Sequence, residues 1–399
     1  MSDHTLPRSL EEFLAPDGAP ALTQRLSWRR SAVRLQVLAM VRRANPEAPG
    51  LAYVEGVLNR AAPEARHEVL RAPEIAVYLD GWLRGIPPMP DVEVPVVALV
   101  AAVCQAAERR EISWPQPLPL GCLPMGRRTI RAPGVILKHP TLIVDKSSLT
   151  LLGVGEPERH IPTRQGESGD EFSRSSHPLE LVDDWLPFRN PFDDGNISIA
   201  LVDEKRFVLE RLLDRARALI SLVERGTLLE MEETARYLSP IRAIDPTSTA
   251  LRSFSSRALP GVVFVGVQRG DGDFVDERLL AESCLHEHLH NRLYLLDEAI
   301  SLTRPSSPPG EYFSPWKATL RGIEGMLHAV YVFSHLSWFW RQIEDMTEGH
   351  LRAYASRRVD EHSRHLGGAL ASLEDTDELT PAGKAVAGAA ARIATDELS

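Results

Sequence analysis

Cysteine is scarce: the 399-residue chain has three, Cys104, Cys122 and Cys284, with no C-x-x-C spacing. That argues against a disulfide framework and against a thiolate zinc site. Cys284 stands two residues before His286 but about 200° away around a helix, so it reads as a buried thiol. No apolar run approaches the roughly 18 residues of a membrane span, and Met1 to Leu14 lacks the unbroken apolar stretch of a secretion signal. A cytoplasmic protein without membrane contact is the expectation. Positive charge is in deficit, with 45 Lys and Arg against 55 Asp and Glu and a formal net charge of -10. Phosphate-backbone binding needs clustered cations, so nucleic acid is not an expected partner.

What is present is the composition of an ordinary globular chain, 43% hydrophobic and 25% charged, long enough for two or three compact units. Apolar residues at three- and four-residue spacing predict helices over Leu22–Arg43, Pro63–Leu83 and Val94–Arg109. Prolines and glycines cluster between Trp114 and Pro133, and Gly134–Leu137 and Thr141–Val144 then read as short strands. The polar stretch Pro157–Asp194 predicts a long surface loop or linker. After Ile197–Leu201 come an amphipathic helix over Glu204–Arg225, a second over Leu228–Leu238 and a turn at Pro240. The β-branched run Val262–Val267 predicts a buried strand, followed by helices over Glu277–Leu302 and Thr319–Asp345. Two more are expected, before and after the helix start at Thr380-Pro381. The expected fold is α+β and predominantly helical. It divides into an N-terminal helical unit over 1–112, a small β and loop region over 113–195 and a C-terminal helical metal-binding unit over 196–399.

The chemistry concentrates in His286-Glu287-His288-Leu289-His290. Residues four apart share a helix face, so His286 and His290 can aim two ring nitrogens at one ion, while His288 faces away as a structural histidine. The third ligand distinguishes the metal families that use this helix. Metzincin-like proteases need Gly and His where this chain has Leu293 and Leu296. Gluzincin-like proteases take a Glu from a following helix, for which Glu311 and Glu324 are available. A further candidate is His328, inside the apolar run Gly325–Phe333.

In the order and spacing of several segments the chain resembles the HExxH-type 2-oxoglutarate-dependent peptide β-hydroxylases, also described as an HExxH-containing peptide-modification domain. The likeness covers roughly 253–343. It lies in Ser253–Val267 with its Pro260-Gly261 turn, Leu285–Leu293, Tyr312-Phe313-Ser314-Pro315-Trp316-Lys317, and Arg321 leading into Leu327-His328-Ala329-Val330-Tyr331-Val332-Phe333. Lys317 stands where an Arg is usual in the family, and Ala329 where a Gly commonly follows the histidine.

The resemblance implies a mononuclear Fe(II) oxygenase that uses 2-oxoglutarate and O2 to hydroxylate a β-carbon in a peptide or peptide-precursor substrate. Three protein ligands leave room for a chelating oxoacid and O2, and His286, His290 and His328 would supply them, with Glu324 or Asp297 as alternatives to the third. Arg321, and after it Lys317, would neutralise the far carboxylate of 2-oxoglutarate. Glu287 lies about 100° from the His286 face; in a hydrolase it would be the general base, in an oxygenase it would orient ligands or substrate. Trp316, Trp338 and Trp340 are candidates for the pocket wall. Two other classes compete: a zinc metallopeptidase using Glu287, and a non-enzymatic scaffold whose histidines are structural.

Overall fold

A computed structural model describes residues 8–16, 19–44, 49–71, 203–223, 225–243, 252–257, 259–304, 311–374 and 376–395, with residues 76, 79, 178 and 179 and short strands between 110 and 199. The expected helix over Val94–Arg109, the distal part of Pro63–Leu83, Cys104 and Cys122 lie outside these residues. The described chain is mostly helical with a few small strands, as the periodicity predicts.

Among the described residues four helices open the chain: α1 (Arg8–Leu14), α2 (Pro20–Ala44), α3 (Pro49–Arg60) and α4 (Pro63–Arg71). Short strands β1 (Arg110–Ser113) through β8 (Arg159–Pro162) follow, of which β1, β6 (Thr141–Val144), β7 (Ser148–Leu152) and β8 form an antiparallel sheet in that order. The sequence reading placed β8 in a surface loop; alternating Arg159-His160-Ile161-Pro162 instead pairs with Ser148–Leu151.

The second half is built on α5 (Asp203–Val223), α6 (Arg225–Thr234), α7 (Glu277–Ala299), α8 (Ile323–Met346), α9 (Gly349–Ser363), α10 (Leu366–Glu374) and α11 (Pro381–Thr395). Helix α7 begins where Asp276 accepts hydrogen bonds from the backbone N–H groups of Arg278 and Leu279, an N-cap that fixes the register of everything after it. Its flanks are covered by α5, α8 and the fully buried strand β13 (Val262–Gln268). Strand β13 runs parallel to β11 (Tyr237–Ala243) and antiparallel to β12 (Phe254–Ser255).

Three expectations need correction. Helix α6 ends at Thr234, and Pro240, read as a turn, lies inside β11. One edge of β11 is covered by β9 (Glu180–Leu181) at Tyr237–Leu238 and by β10 (Ile197–Ile199) at Ile241–Ala243. Pro240 falls in the gap between them, where its missing N–H leaves no ladder bond unmade on that side. Thr319–Arg321, read as helix, is β15, which pairs with β14 (Tyr312–Ser314) in a hairpin before α8 starts at Ile323. Two helices, α9 and α10, stand where one was expected before Pro381.

The N-terminal helices share the main core: Leu10, Phe13 and Leu14 of α1 are buried with Leu285, Leu289 and Leu293 of α7. No described helix is long and apolar enough to cross a membrane.

Candidate metal centre

Helix α7 turns His286 and His290 to the same side, as their four-residue spacing requires, and α8 brings His328 against them. His290 Nε2 lies 3.2 Å from His286 Nε2, and His290 Nδ1 lies 2.9 Å from His328 Nδ1. His328 is buried and His286 about a quarter exposed, at 28%. Burial, the largest influence on each ring, lowers His286 to about 4 and His328 to about 3, and takes His290 well below its ordinary value. All three are therefore neutral at pH 7, the state in which an imidazole can donate a lone pair to a metal.

Three nitrogens bound at about 2.1 Å at right angles would lie about 3 Å apart, so the separations suit one face of an ion. His290, however, sits between its neighbours and offers a different nitrogen to each. Among the described residues no three His, Cys, Asp or Glu side chains form a ready-made cage. Gathering one nitrogen from each ring requires an imidazole to turn about its soft terminal torsion. In donor type, charge state and spacing the residues fit a metal; the last rotation is left to binding.

Of the other proposed third ligands, Asp297 and Glu324 are both engaged by Arg257, at 2.6 and 2.9 Å, and Asp297 also accepts from the Leu302 N–H. Glu311 is exposed. Of these candidate third ligands, His328 is the one that touches the histidine pair.

Glu287 is 1% exposed, with Oε1 4.0 Å from His286 Nε2 and with Oε2 lacking a hydrogen bond among the described residues. Burial raises its carboxyl to about 8, against the pull of the Ser255 hydroxyl and the Lys317 charge. Lys317 and Arg321 are exposed, yet the charges of both bear on His290, and that of Lys317 on His286 too. The hairpin thus holds two cations beside the histidines. A Cβ added at Gly325 would meet Arg321 Cβ and Cδ at 3.5 Å, which places the Arg321 stem across the first turn of α8.

An aromatic wall flanks the cluster. Trp316 stacks on Phe333 at 4.5 Å, Phe333 stands edge-on to His286 at 5.5 Å, and Tyr294 lies 4.7 Å from His328. The buried Trp316 N–H has no partner among the described residues. Trp338 and Trp340 serve elsewhere: Trp340 donates to Glu282, and Trp338 lines a small, partly open pocket of about 20 Å³ behind α7, room for about one water.

That pocket marks the opposite face of α7, which is structural. His288 Nδ1 shares a hydrogen bond with Thr234 at 2.6 Å, and Arg292 meets Glu230, the Tyr331 hydroxyl and the Phe13 carbonyl. His288 is the structural histidine its position predicts, and Cys284 is fully buried, its thiol pushed up by burial.

Sequence reasoning did not single out Glu282 and its partners. One turn before His286, Glu282 is bound by Arg358, lies 3.3 Å from His362 and accepts from Trp340; burial alone would raise it, but His362 and Arg358 hold it at about 2. Its four-residue offset from His286 was the one available signal; Arg358 and His362 come from α9 and leave none.

No protein-family model matches the chain, and no curated protein matches it.

Proposed function

We propose that the protein is an Fe(II)- and 2-oxoglutarate-dependent oxygenase that hydroxylates a β-carbon in a peptide substrate. The observation that carries this reading is the contact of three neutral imidazoles, His286, His290 and His328, beside two cations, Lys317 and Arg321. A three-nitrogen face leaves coordination positions for an oxoacid and O2, and a neighbouring guanidinium suits a dicarboxylate. The order of segments shared with the HExxH-type peptide β-hydroxylases supports the same reading.

When bound, iron with the oxoacid would supply the oxidation: C–H becomes C–OH while O2 is consumed and 2-oxoglutarate yields succinate and CO2. The chain's own part is to bind and orient. His286, His290 and His328 would hold the metal, and Arg321, with Lys317 as the second choice, would fix the far carboxylate. Trp316 and Phe333 form an apolar wall along one side of His286. Glu287, protonated at neutral pH in the metal-free protein, can donate a hydrogen bond from its carboxyl to a group beside His286.

One observation favours a second reading. A carboxyl 4.0 Å from His286 Nε2 with one oxygen unengaged is where a zinc metallopeptidase holds its general base. A metal beside Glu287 would lower its raised pKa toward the range such a base needs.

The test is anaerobic purification, addition of Fe(II), and a search for the weak visible band that appears when 2-oxoglutarate chelates iron, in wild type, His328→Ala and Arg321→Ala. A band in wild type that is lost or weakened in the variants supports the oxygenase. One tightly held zinc per chain with no band moves the peptidase to first place, and absence of any stoichiometric metal leaves a scaffold.

A further inference from the structure

The hairpin next to the histidines has two dissimilar faces. Its inner face is fastened: Ser314 is buried, and the Tyr312 hydroxyl bonds Thr376 at 2.7 Å and Glu378 at 3.2 Å. Its outer face carries Phe313 and Leu320 directly opposite each other, each 59% exposed. Cross-strand partners have Cβ atoms about 5 Å apart, so the two side chains make one continuous apolar patch. At the tip, Trp316 stacks on Phe333, and Ala318 takes a left-handed φ of 52°, a conformation costly for a residue with a Cβ. The tip is thereby pinned toward His286, with Lys317 between those two anchors. Among the described residues Lys317 is in no ion pair.

Resting on the oxygenase reading of the site, we propose that this outer face docks the peptide substrate as an extended segment with an apolar residue flanked by carboxylates. Among the described residues the hairpin is a two-stranded sheet with unpaired edges, to which an extended chain can add by main-chain hydrogen bonds. Alternate side chains of such a strand point the same way, so an apolar residue can seat on Phe313 and Leu320 while an acidic one nearer the tip meets Lys317. Arg321, laid across the first turn of α8, stays with the cosubstrate. The fixed direction of the hairpin, from the patch to the tip beside the histidines, leads the bound chain to the metal.

The probe is a fluorescein-labelled decapeptide in which glutamate and leucine alternate at every second position, with serine between them so that both types share one face of the extended chain, and a lysine-for-glutamate counterpart, titrated by fluorescence anisotropy against the full-length metal-free protein. The acidic peptide is expected to bind more tightly than the basic one. Phe313→Ser with Leu320→Ser should weaken it at least about tenfold, and Lys317→Glu should weaken it further at low salt than at high salt. Because these side chains are exposed, the variants should retain the circular dichroism spectrum of the wild type. Equal binding of the two peptides, no binding of the acidic one, or unchanged affinity in the double variant overturns the docking surface. The iron chelate band, read separately in the wild type, judges the oxygenase reading: its absence with hairpin-dependent peptide binding sinks that reading alone, and its presence without such binding sinks the docking surface alone.

Discussion

Burial holds the Glu287 carboxyl protonated up to about pH 8, with a measurable consequence in the metal-free protein. A carboxyl whose folded pKa is raised contributes stability that is complete below its unfolded value near 4.5 and is lost as pH rises through 8. Glu287→Gln cannot ionise, so its melting temperature should exceed that of the wild type at pH 8.5 and approach it near pH 4.5; parallel thermal melts at the two pH values check this. The neighbouring histidines should separate just as sharply. His290→Ala is expected to abolish stoichiometric metal binding, whereas His288→Ala should keep the metal but lose about 2 kcal/mol or more, because it empties a buried site and strips Thr234 Oγ1 of one of its two hydrogen bonds, leaving the one it donates to the Glu230 carbonyl. Metal analysis beside urea unfolding distinguishes the two. The opposite facing of these histidines was legible in the sequence, since 3.6-residue periodicity alone sets His288 against His286 and His290. Ser255, Glu282 and His362 were not legible as site neighbours: their relation to the cluster arises from packing between segments.

Among the elements, the hairpin of β14 and β15 was the costliest to misread. Thr319-Leu320-Arg321 followed by an apolar helical run looks like a helix entrance, and only pairing with Tyr312-Phe313-Ser314 makes it a strand. Pro240 misled for a related reason, since a proline in a strand is tolerated only at a local gap in pairing, and pairing is nonlocal. Strand β13 and helices α2, α5 and α7 were read nearly to their ends because each announces its own periodicity. Helix α6 joins the N-terminal helices through Glu233, which accepts from Ser27 at 2.6 Å and pairs with Arg71 at 3.0 Å and His67 at 3.3 Å. Burial pushes this carboxyl up, but those partners hold it at about 2. A depressed carboxyl pKa contributes stability above the unfolded value near 4.5 that disappears as pH falls toward 2. Glu233→Gln should therefore cost on the order of 3 kcal/mol at pH 7, and the gap from wild type should close between pH 4.5 and 2 in denaturant titrations.

On the scale of the whole molecule, the sequence suggested an N-terminal helical unit in series with a catalytic one, yet α1 buries Phe13 completely in the core that also holds α7. The Phe13 carbonyl accepts from Arg292, and the guanidinium lies 4.5 Å above the Phe13 ring. Phe13→Ala is expected to cost about 3 to 5 kcal/mol and to shift unfolding of α7 and α8 with it, giving one calorimetric transition. A separate, unshifted transition for those helices would show that the N-terminal segment is an independent unit. Helix α7, buried along most of its length, has a consequence for how such a chain can diverge. Its histidine-cluster and anchoring residues alternate within two turns, so inserting or deleting one residue between Glu282 and Arg292 would rotate all that follows by about 100° and carry the residues beyond it off both faces. Lineages descended from this protein can change loop lengths freely, but through this stretch they should keep the residue count fixed.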